Sequence, residues 1–546
     1  MKALRSLRYA RRWLMLILLP VPAAAQFADI TESVGIDAPM PGSDFQQTFG
    51  YFAGGIGIGD FSGNGCPDAF LVGAGESNRL FFNQGNGQFG EDPAIADDIV
   101  LDNRDCTAIA VADYNNNGWP DAYLACRPGP GLDGNDVLLI NLEGNGFEAV
   151  LPEGMHFTDG WSQAAAWGDL TGNGHLDLVV GVHPPNQAVD PNDRRHHDKI
   201  FINQGDGTFV DIAEHIDIDP LLGMTLAAKI ADINGNGRPD IYLVNDRHLG
   251  NVLLINEGPG CEGWCLTNVS EETGADRPAD GMGIAIADFD RDGDWDLFYT
   301  STSEGQVLLR NKLAQTGELE FEEFTTPAGI HLPRVGWGTI FFDTNNNGWQ
   351  DLYVAVSPLS LNDPSDLKDG MFVNIGGSFL DAGQSSGLAL PLRSEAAAWL
   401  DYNRNGRGEL LIGHLEDQYR IYRNDSATSN NWIGFEVRGR LDINRDAIGT
   451  SIIVETPDQA RQMRERRAGA SRSATHDSVL HFGLAQHDSA SVTVRWPNGL
   501  TQNLGTLAAG HYYVLEYPGS ETVFADRFVA KTPLETLHSC GESGPD

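Results

Sequence analysis

One turn, repeated seven times, governs what this chain can fold into. It occurs as IGDFSGNGCPDAFL (58–71), VADYNNNGWPDAYL (111–124), WGDLTGNGHLDLVV (167–180), IADINGNGRPDIYL (230–243), IADFDRDGDWDLFY (286–299), FFDTNNNGWQDLYV (341–354) and, degraded, WLDYNRNGRGELLI (399–412). The first aspartates are spaced by 53, 56, 63, 56, 55 and 58 residues. A period of this length marks a supersecondary unit that stacks on its neighbours. Within a unit, a small or apolar run precedes the turn and an apolar run follows it. A third run such as NDVLLIN comes next, then a Gly/Asn/Asp turn and an aromatic run such as GDGTFVDI. Four β-runs are the content of one propeller blade. The seventh unit lacks its fourth run, and FADITESVGI at 27–36 carries the missing pattern. Residues 27–31 are therefore expected to supply the outer strand of the last blade and remove the loose edges of an open ring.

The expected fold is all-β: a seven-bladed β-propeller over 26–430, followed by a small β-sandwich-like domain. From residue 431 the turn disappears while β-rich runs continue, so 431–517 reads as that second domain and 518–546 as a poorly ordered tail. Glycine, at 64 of 546 residues, suits a chain of tight turns. The net charge of −40 excludes nucleic acid as a partner and favours cations. Residues 1–25 read as a signal peptide: Lys2, Arg5, Arg8, Arg11 and Arg12 precede a short apolar run, and Ala23-Ala24-Ala25 offers a cleavage site. The expected address is the periplasm, the cell surface or the medium, peripheral to the membrane.

Counting each turn from its first aspartate, oxygen side chains stand at positions 1, 3, 5 and 9, and glycine at 6. A tight loop can curl side chains 1, 3 and 5 around a hard cation, and glycine at 6 permits the positive φ of the bend. The candidate calcium ligands are Asp60, Ser62, Asn64 and Asp68; Asp113, Asn115, Asn117 and Asp121; Asp169, Thr171, Asn173 and Asp177; and Asp232, Asn234, Asn236 and Asp240. The remaining turns offer Asp288, Asp290, Asp292 and Asp296; Asp343, Asn345, Asn347 and Asp351; and Asp401, Asn403, Asn405 and Glu409. The fifth, with four carboxylates, is expected to bind most tightly. Position 12 is apolar or tyrosine rather than glutamate and the flanks are strands, so these are not EF-hands. Asn, Asp and Gly also make metal-free turns, and that reading competes most strongly in the seventh copy. Asn116 is expected to point outward without a role.

These turns, with the GDGTF hairpins, resemble the FG-GAP/VCBS repeats of integrin-α-like propellers. NRDAIGTSIIV (444–454), SVLHFGLAQ (478–486) and VRWPNGLTQNL (494–504) resemble the ASPIC/UnbV domain. The combination is similar to the cartilage acidic protein family and its bacterial relatives. The resemblance implies an exported calcium-binding propeller that serves adhesion or protein and glycan interaction, without enzymatic chemistry. Gly408 and Glu409 depart from the repeat pattern.

Cys261 and Cys265 are the leading disulfide candidates, and Cys106 and Cys126 could pair across one hairpin, while Cys66 and Cys540 have no obvious mates. DRRHHDK (193–199) reads as an exposed insertion. RQMRERRAGASR (461–472) reads as a solvated loop, or else as a patch that docks on the acidic propeller or on an acidic glycan. His511, Tyr512 and Tyr513 read as ordinary strand residues. Asn268 and Asn424 each head an Asn-X-Ser sequon. No nucleophile elbow, phosphate loop or CxxC ligation motif is present. An enzyme using the central channel and an accessory protein of an assembly pathway are the alternatives to an interaction module.

Overall fold

A computed structural model describes residues 27–40, 54–73, 77–101, 104–128, 133–155, 161–184, 196–213, 223–259, 264–302, 305–358, 367–440, 442–519 and 535–541. Each repeat folds as an antiparallel sheet of four strands hydrogen-bonded in chain order. The first comprises Gly55–Gly59, Asp68–Val72, Arg79–Asn83 and Phe89–Gly90, and six more begin at Asp105, Ser162, Thr225, Ile284, Gly336 and Arg393. The outer strand of the seventh is Phe27–Asp29, paired with Tyr419–Asn424 in the register Phe27 to Asn424. First strands lie against one another in order, that of the seventh sheet against that of the first. The arrangement is propeller-like.

The core lies between neighbouring sheets. The second strand of each is buried along its whole length, as in Asp121–Arg127 and Asp351–Val356, which is why these segments read as continuous apolar runs. Between the second and third sheets Tyr114 stacks on Trp167 at 5.9 Å, and Tyr123 meets the same indole edge-on. First strands are rich in small residues because they converge: a Cβ on Gly57 would lie 2.7 Å from Ile109.

A second repeated element joins neighbouring sheets. Every third strand carries an asparagine, at its end in six sheets and at Asn256 within Val252–Pro259 in the fourth, whose Nδ2 donates to a backbone carbonyl in the preceding sheet's turn. Asn141 reaches Phe61 at 3.0 Å, Asn203 Tyr114 at 3.4 Å, Asn256 Leu170 at 2.8 Å and Asn311 Ile233 at 3.3 Å. Asn374 reaches Phe289 at 2.9 Å and Asn424 reaches Thr344 at 2.8 Å. Asn83 reaches Tyr402 at 2.7 Å, joining the first sheet to the seventh. Asn424 is thus buried in this set, so its sequon is not a surface acceptor; Asn268 is exposed.

The C-terminal unit is two sheets over one core. Leu480–Ala485, Asn431–Arg438 and Tyr512–Glu516 form one; Arg461–Glu465, Ser451–Glu455, Ser489–Arg495 and Thr501–Ala508 form the other. Phe435, Ile452, Phe482, Val492 and Trp496 fill the space between them. The unit rests on the face of the propeller that carries the seven turns. The basic segment is not a solvated loop. Gln462, Arg466 and Arg472 are buried, and the chain from 466 to 477 runs into the axis where the first strands converge, so the docking alternative describes it.

Of the tail expected to be poorly ordered, residues 520–534 and 542–546 lie outside the described residues. Residues 535–541 are ordered against the C-terminal unit, with Leu537 N–H donating to Tyr512 O, and Cys540 forms a disulfide with Cys66 across 474 residues. Local spacing could not reveal that pair, because docking of the two units creates it. Cys106 and Cys126 are joined as the hairpin suggested. Cys265 is disulfide-bonded, and its expected mate Cys261 lies outside the described residues, as do residues 1–25 and 193–195 of DRRHHDK. Asp198 of that segment is buried and clasps Val182 N–H and the Thr225 hydroxyl rather than lying exposed.

The asparagine set yields a stability test. Asn141→Ala removes two donor bonds and the acceptor for Gly144 N–H at a fully buried position. The expected loss is about 1–3 kcal/mol of unfolding free energy in urea titration.

Candidate functional site

In all seven turns the residue at position 4 and the glycine at position 6 adopt left-handed backbone, for example Asn116 (φ 59°) with Gly118 (97°) and Arg291 (62°) with Gly293 (97°). The glycine was anticipated from the turn; the constraint at position 4 was not. The first aspartate folds back over the loop. Asp113 accepts Asn117 N–H at 2.9 Å and Gly118 N–H at 2.6 Å. Asp60, Asp169, Asp343 and Asp401 do the same in their turns, while Asp232 and Asp288 take the glycine N–H. At position 5, Asn64, Asn117, Asn173, Asn236, Asp292, Asn347 and Asn405 each cap the N–H two residues on. At position 3, Asn115, Asn234, Asp290, Asn345 and Asn403 cap position 5 in the same way.

Position 9 is the deepest. Asp68, Asp121, Asp177, Asp240, Asp296 and Asp351 are fully buried, and one oxygen of each accepts the N–H of the third strand's asparagine, at 2.7–2.9 Å. The turns are therefore self-supporting frames built from side-chain-to-backbone bonds.

Those bonds do not use up the oxygens. Ser62 Oγ, Asp121 Oδ2, Thr171 Oγ1 and Asp232 Oδ1 are buried without a hydrogen-bond partner. Each such atom forfeits its hydration, at about 1–3 kcal/mol. In the fifth turn Asp288, Asp290 and Asp296 bring one carboxylate oxygen each within 4.8 Å of one another. Oxygens sharing one calcium at 2.3–2.6 Å lie at most about 5 Å apart, so this set fits that ion. Asp292, expected as a fourth carboxylate there, lies beside Asp290; one of its oxygens accepts Asp294 N–H and the other accepts the Gln315 amide.

Burial makes these carboxyls resist ionisation. It pushes Asp68, Asp121, Asp240 and Asp351 up to about 8, with a neighbouring first aspartate adding to the effect in each. Burial likewise raises Asp113 and Asp288 to about 7 and Asp290 and Asp343 to about 6. Asp60, Asp169, Asp177, Asp232 and Asp296 move in the same direction for the same reason. An all-oxygen site of this kind is electrostatically complete only with a proton or a cation bound.

The seventh turn is built differently. Arg404, at position 4, lies near Asp401 and forms a buried ion pair with Asp477 of the C-terminal unit at 2.5 Å. Asp401 also accepts the Tyr512 hydroxyl at 2.8 Å, so Tyr512 is more than a strand residue. Asn403, Asn405 and Glu409 surround this latch, and Glu409 keeps one buried oxygen unpartnered. The C-terminal unit reaches other turns as well. Asp446 accepts Asp113 N–H at 2.9 Å, Arg464 lies close enough to Asp288 and Asp343 to interact with both, and His481 Nε2 meets Asn346 Oδ1 at 2.7 Å. Asn116 does not point outward idly: it donates to Gly174 O at 3.0 Å and accepts Arg445 N–H at 2.7 Å. Its left-handed conformation aims the side chain at the next turn.

Comparison with known proteins agrees with the repeat and the C-terminal unit. The FG-GAP-like repeat matches residues 60–124, 188–243 and 232–299, and the ASPIC and UnbV family matches residues 441–522. Mouse cartilage acidic protein 1 is 26% identical over 325 residues, covering 58% of this chain and 47% of that protein. The human protein is 23% identical over 421 residues, covering 74% and 60%. The chain thus spans about half the length of the curated relatives it matches. Among solved structures, an Agrocybe aegerita lectin that recognises non-reducing terminal N-acetylglucosamine aligns over 61% of this chain and 81% of its own, at 20% identity and a TM-score of 0.39. BBS1N, solved in complex with ARL6DN, aligns over 74% and 99%, at 12% identity and a TM-score of 0.43.

The raised carboxyls carry a pH signature. Above their ordinary value of 3.8 and up to about 8, the folded chain holds protons that the unfolded chain releases. Without metal, stability is therefore greatest at low pH within this window and falls as pH rises. The melting temperature in chelator is expected to drop between pH 5 and pH 8, and saturating calcium to flatten that slope, as read by circular dichroism.

Proposed function

We propose that this FG-GAP-repeat protein with a C-terminal ASPIC and UnbV domain, related to cartilage acidic protein 1, is an exported, calcium-stabilised interaction module without catalytic chemistry. Its partner is a protein or glycan at the cell surface or in the surrounding matrix. The observation that carries the calcium reading is the set of buried oxygens the turns leave unsatisfied, together with the converging carboxylates of Asp288, Asp290 and Asp296. Positions 1, 3, 5 and 9 of the first six turns would hold the ion, which supplies positive charge and rigidity. The seventh turn is held instead by Arg404 and Asp477.

Export is supported by the basic and apolar start of the chain, and among the described residues no helix is long and apolar enough to cross a membrane. The non-catalytic reading is supported by the axis, where residues 466–477 occupy the space in which a channel enzyme would seat its substrate.

Thermal unfolding of the mature chain in EDTA, then with calcium restored, tests the reading. Each filled site should add about 2.7 kcal/mol at a hundredfold excess over its dissociation constant. The gain should be smaller in Asp288→Ala. An identical melt with and without calcium would overturn the calcium reading.

A further inference from the structure

The first strands of the seven sheets converge on a common axis, and one tightly turned segment, with Ala470 and Ala474 paired across its loop, bonds to each of them through backbone or side chain. Ile56 N–H donates to Ser473 O at 3.1 Å, Trp167 N–H to Ala468 O at 3.1 Å and Ile284 N–H to Ser471 O at 3.3 Å. Thr339 N–H donates to Ser471 Oγ at 2.8 Å and Val111 N–H to Thr475 Oγ1 at 3.1 Å. Lys229 Nζ reaches Gly469 O at 2.5 Å. Glu395 of the seventh sheet pairs with Arg472 at 3.4 Å, both fully buried, and the guanidinium lies 4.6 Å from the centre of the Trp337 ring. Ala474–Thr475 adds as a parallel strand beside Ile56–Gly57.

Only Ala474–Thr475 adds as a strand; elsewhere single main-chain bonds hold the loop, and a few side-chain pockets supply selectivity. Selectivity here has two parts. Small residues are required, since a Cβ on Gly469 would lie 2.8 Å from Ala165 O. One arginine is required, since Glu395 and Trp337 form an acidic and aromatic seat for a guanidinium. The fit of the occupant is imperfect. Ser471 (φ 54°) and Ser473 (φ 56°) are held in left-handed backbone, costly for residues other than glycine. A cavity of about 140 Å³ remains beside the segment, bordered by Lys229, Trp295, Arg464 and His476. The Cys66–Cys540 disulfide and the Tyr512–Asp401 bond seat the C-terminal unit independently of the segment.

We propose that the axis is a binding site for a tightly turned, small-residue loop bearing one arginine, and that residues 468–475 are its tethered occupant, exchangeable for such a loop on a partner protein. The inference rests on the interaction-module reading and not on calcium. The test uses the full mature chain and a fluorescein-labelled peptide of residues 468–477, followed by anisotropy. Arg472→Ala empties the guanidinium seat and should bind the peptide about tenfold more tightly than the wild type. The gain should vanish when Glu395→Ala is added, or when the peptide's arginine is replaced by alanine. Equal binding by wild type and a folded Arg472→Ala chain overturns the proposal. If Arg472→Ala does not fold, Thr475→Val, which removes the bond to Val111, takes its place under the same two outcomes. A melt indifferent to calcium would remove the calcium reading and leave this difference in binding untouched.

Discussion

The contact on which the rest of the molecule depends is the buried pairing of the position 9 carboxyl with the asparagine of each third strand. In the second sheet, Asp121 accepts Asn141 N–H, and the Asn141 amide donates to Phe61 O of the first sheet. One small node thus fixes a turn, the strand beside it and the neighbouring sheet. Burial makes losing a partner expensive. Because the node recurs in each of the first six repeats, sheet-to-sheet spacing follows from identical local chemistry. In the seventh, Asn424 keeps the bond to Thr344 O, although its turn carries glutamate at position 9.

The same burial leaves oxygens without a full set of partners. A carboxylate placed under a strand to organise backbone N–H groups loses hydration on its remaining oxygens. The turns meet part of that loss with their own amides and leave a residue of unpartnered atoms at Asp121, Thr171 and Asp232. The seventh turn shows another solution to the same problem, in which Arg404 and Asp477 supply the charges from within the protein. The two solutions occur on one face, and that face is the one the C-terminal unit covers.

Docking of that unit is therefore part of the construction of the propeller and not an addition to it. Its segment 466–477 meets backbone edges that first strands would otherwise leave open at the axis, and its Cys540 is covalently bound to the first turn. The consequence for function is that the turn face and the axis are both engaged within the chain.

Much of this was legible in the sequence because it is periodic and local. The repeat length, the order of four strands, the return of Phe27–Asp29 to the last sheet, glycine at position 6 and the Cys106–Cys126 pair all follow from spacing within a few dozen residues, or from a pattern recognisable wherever it stands. The third-strand asparagines were in plain view in runs such as NDVLLIN, but their partner is the preceding sheet's turn, and no local pattern names it. Asn116 was misjudged for a related reason: its left-handed backbone at position 4 sets where the side chain points. Cys66 with Cys540, the burial of 461–472, and the Arg472–Glu395 pair belong to tertiary structure alone. They join residues far apart in the chain, and only the docked surfaces bring them within bonding distance.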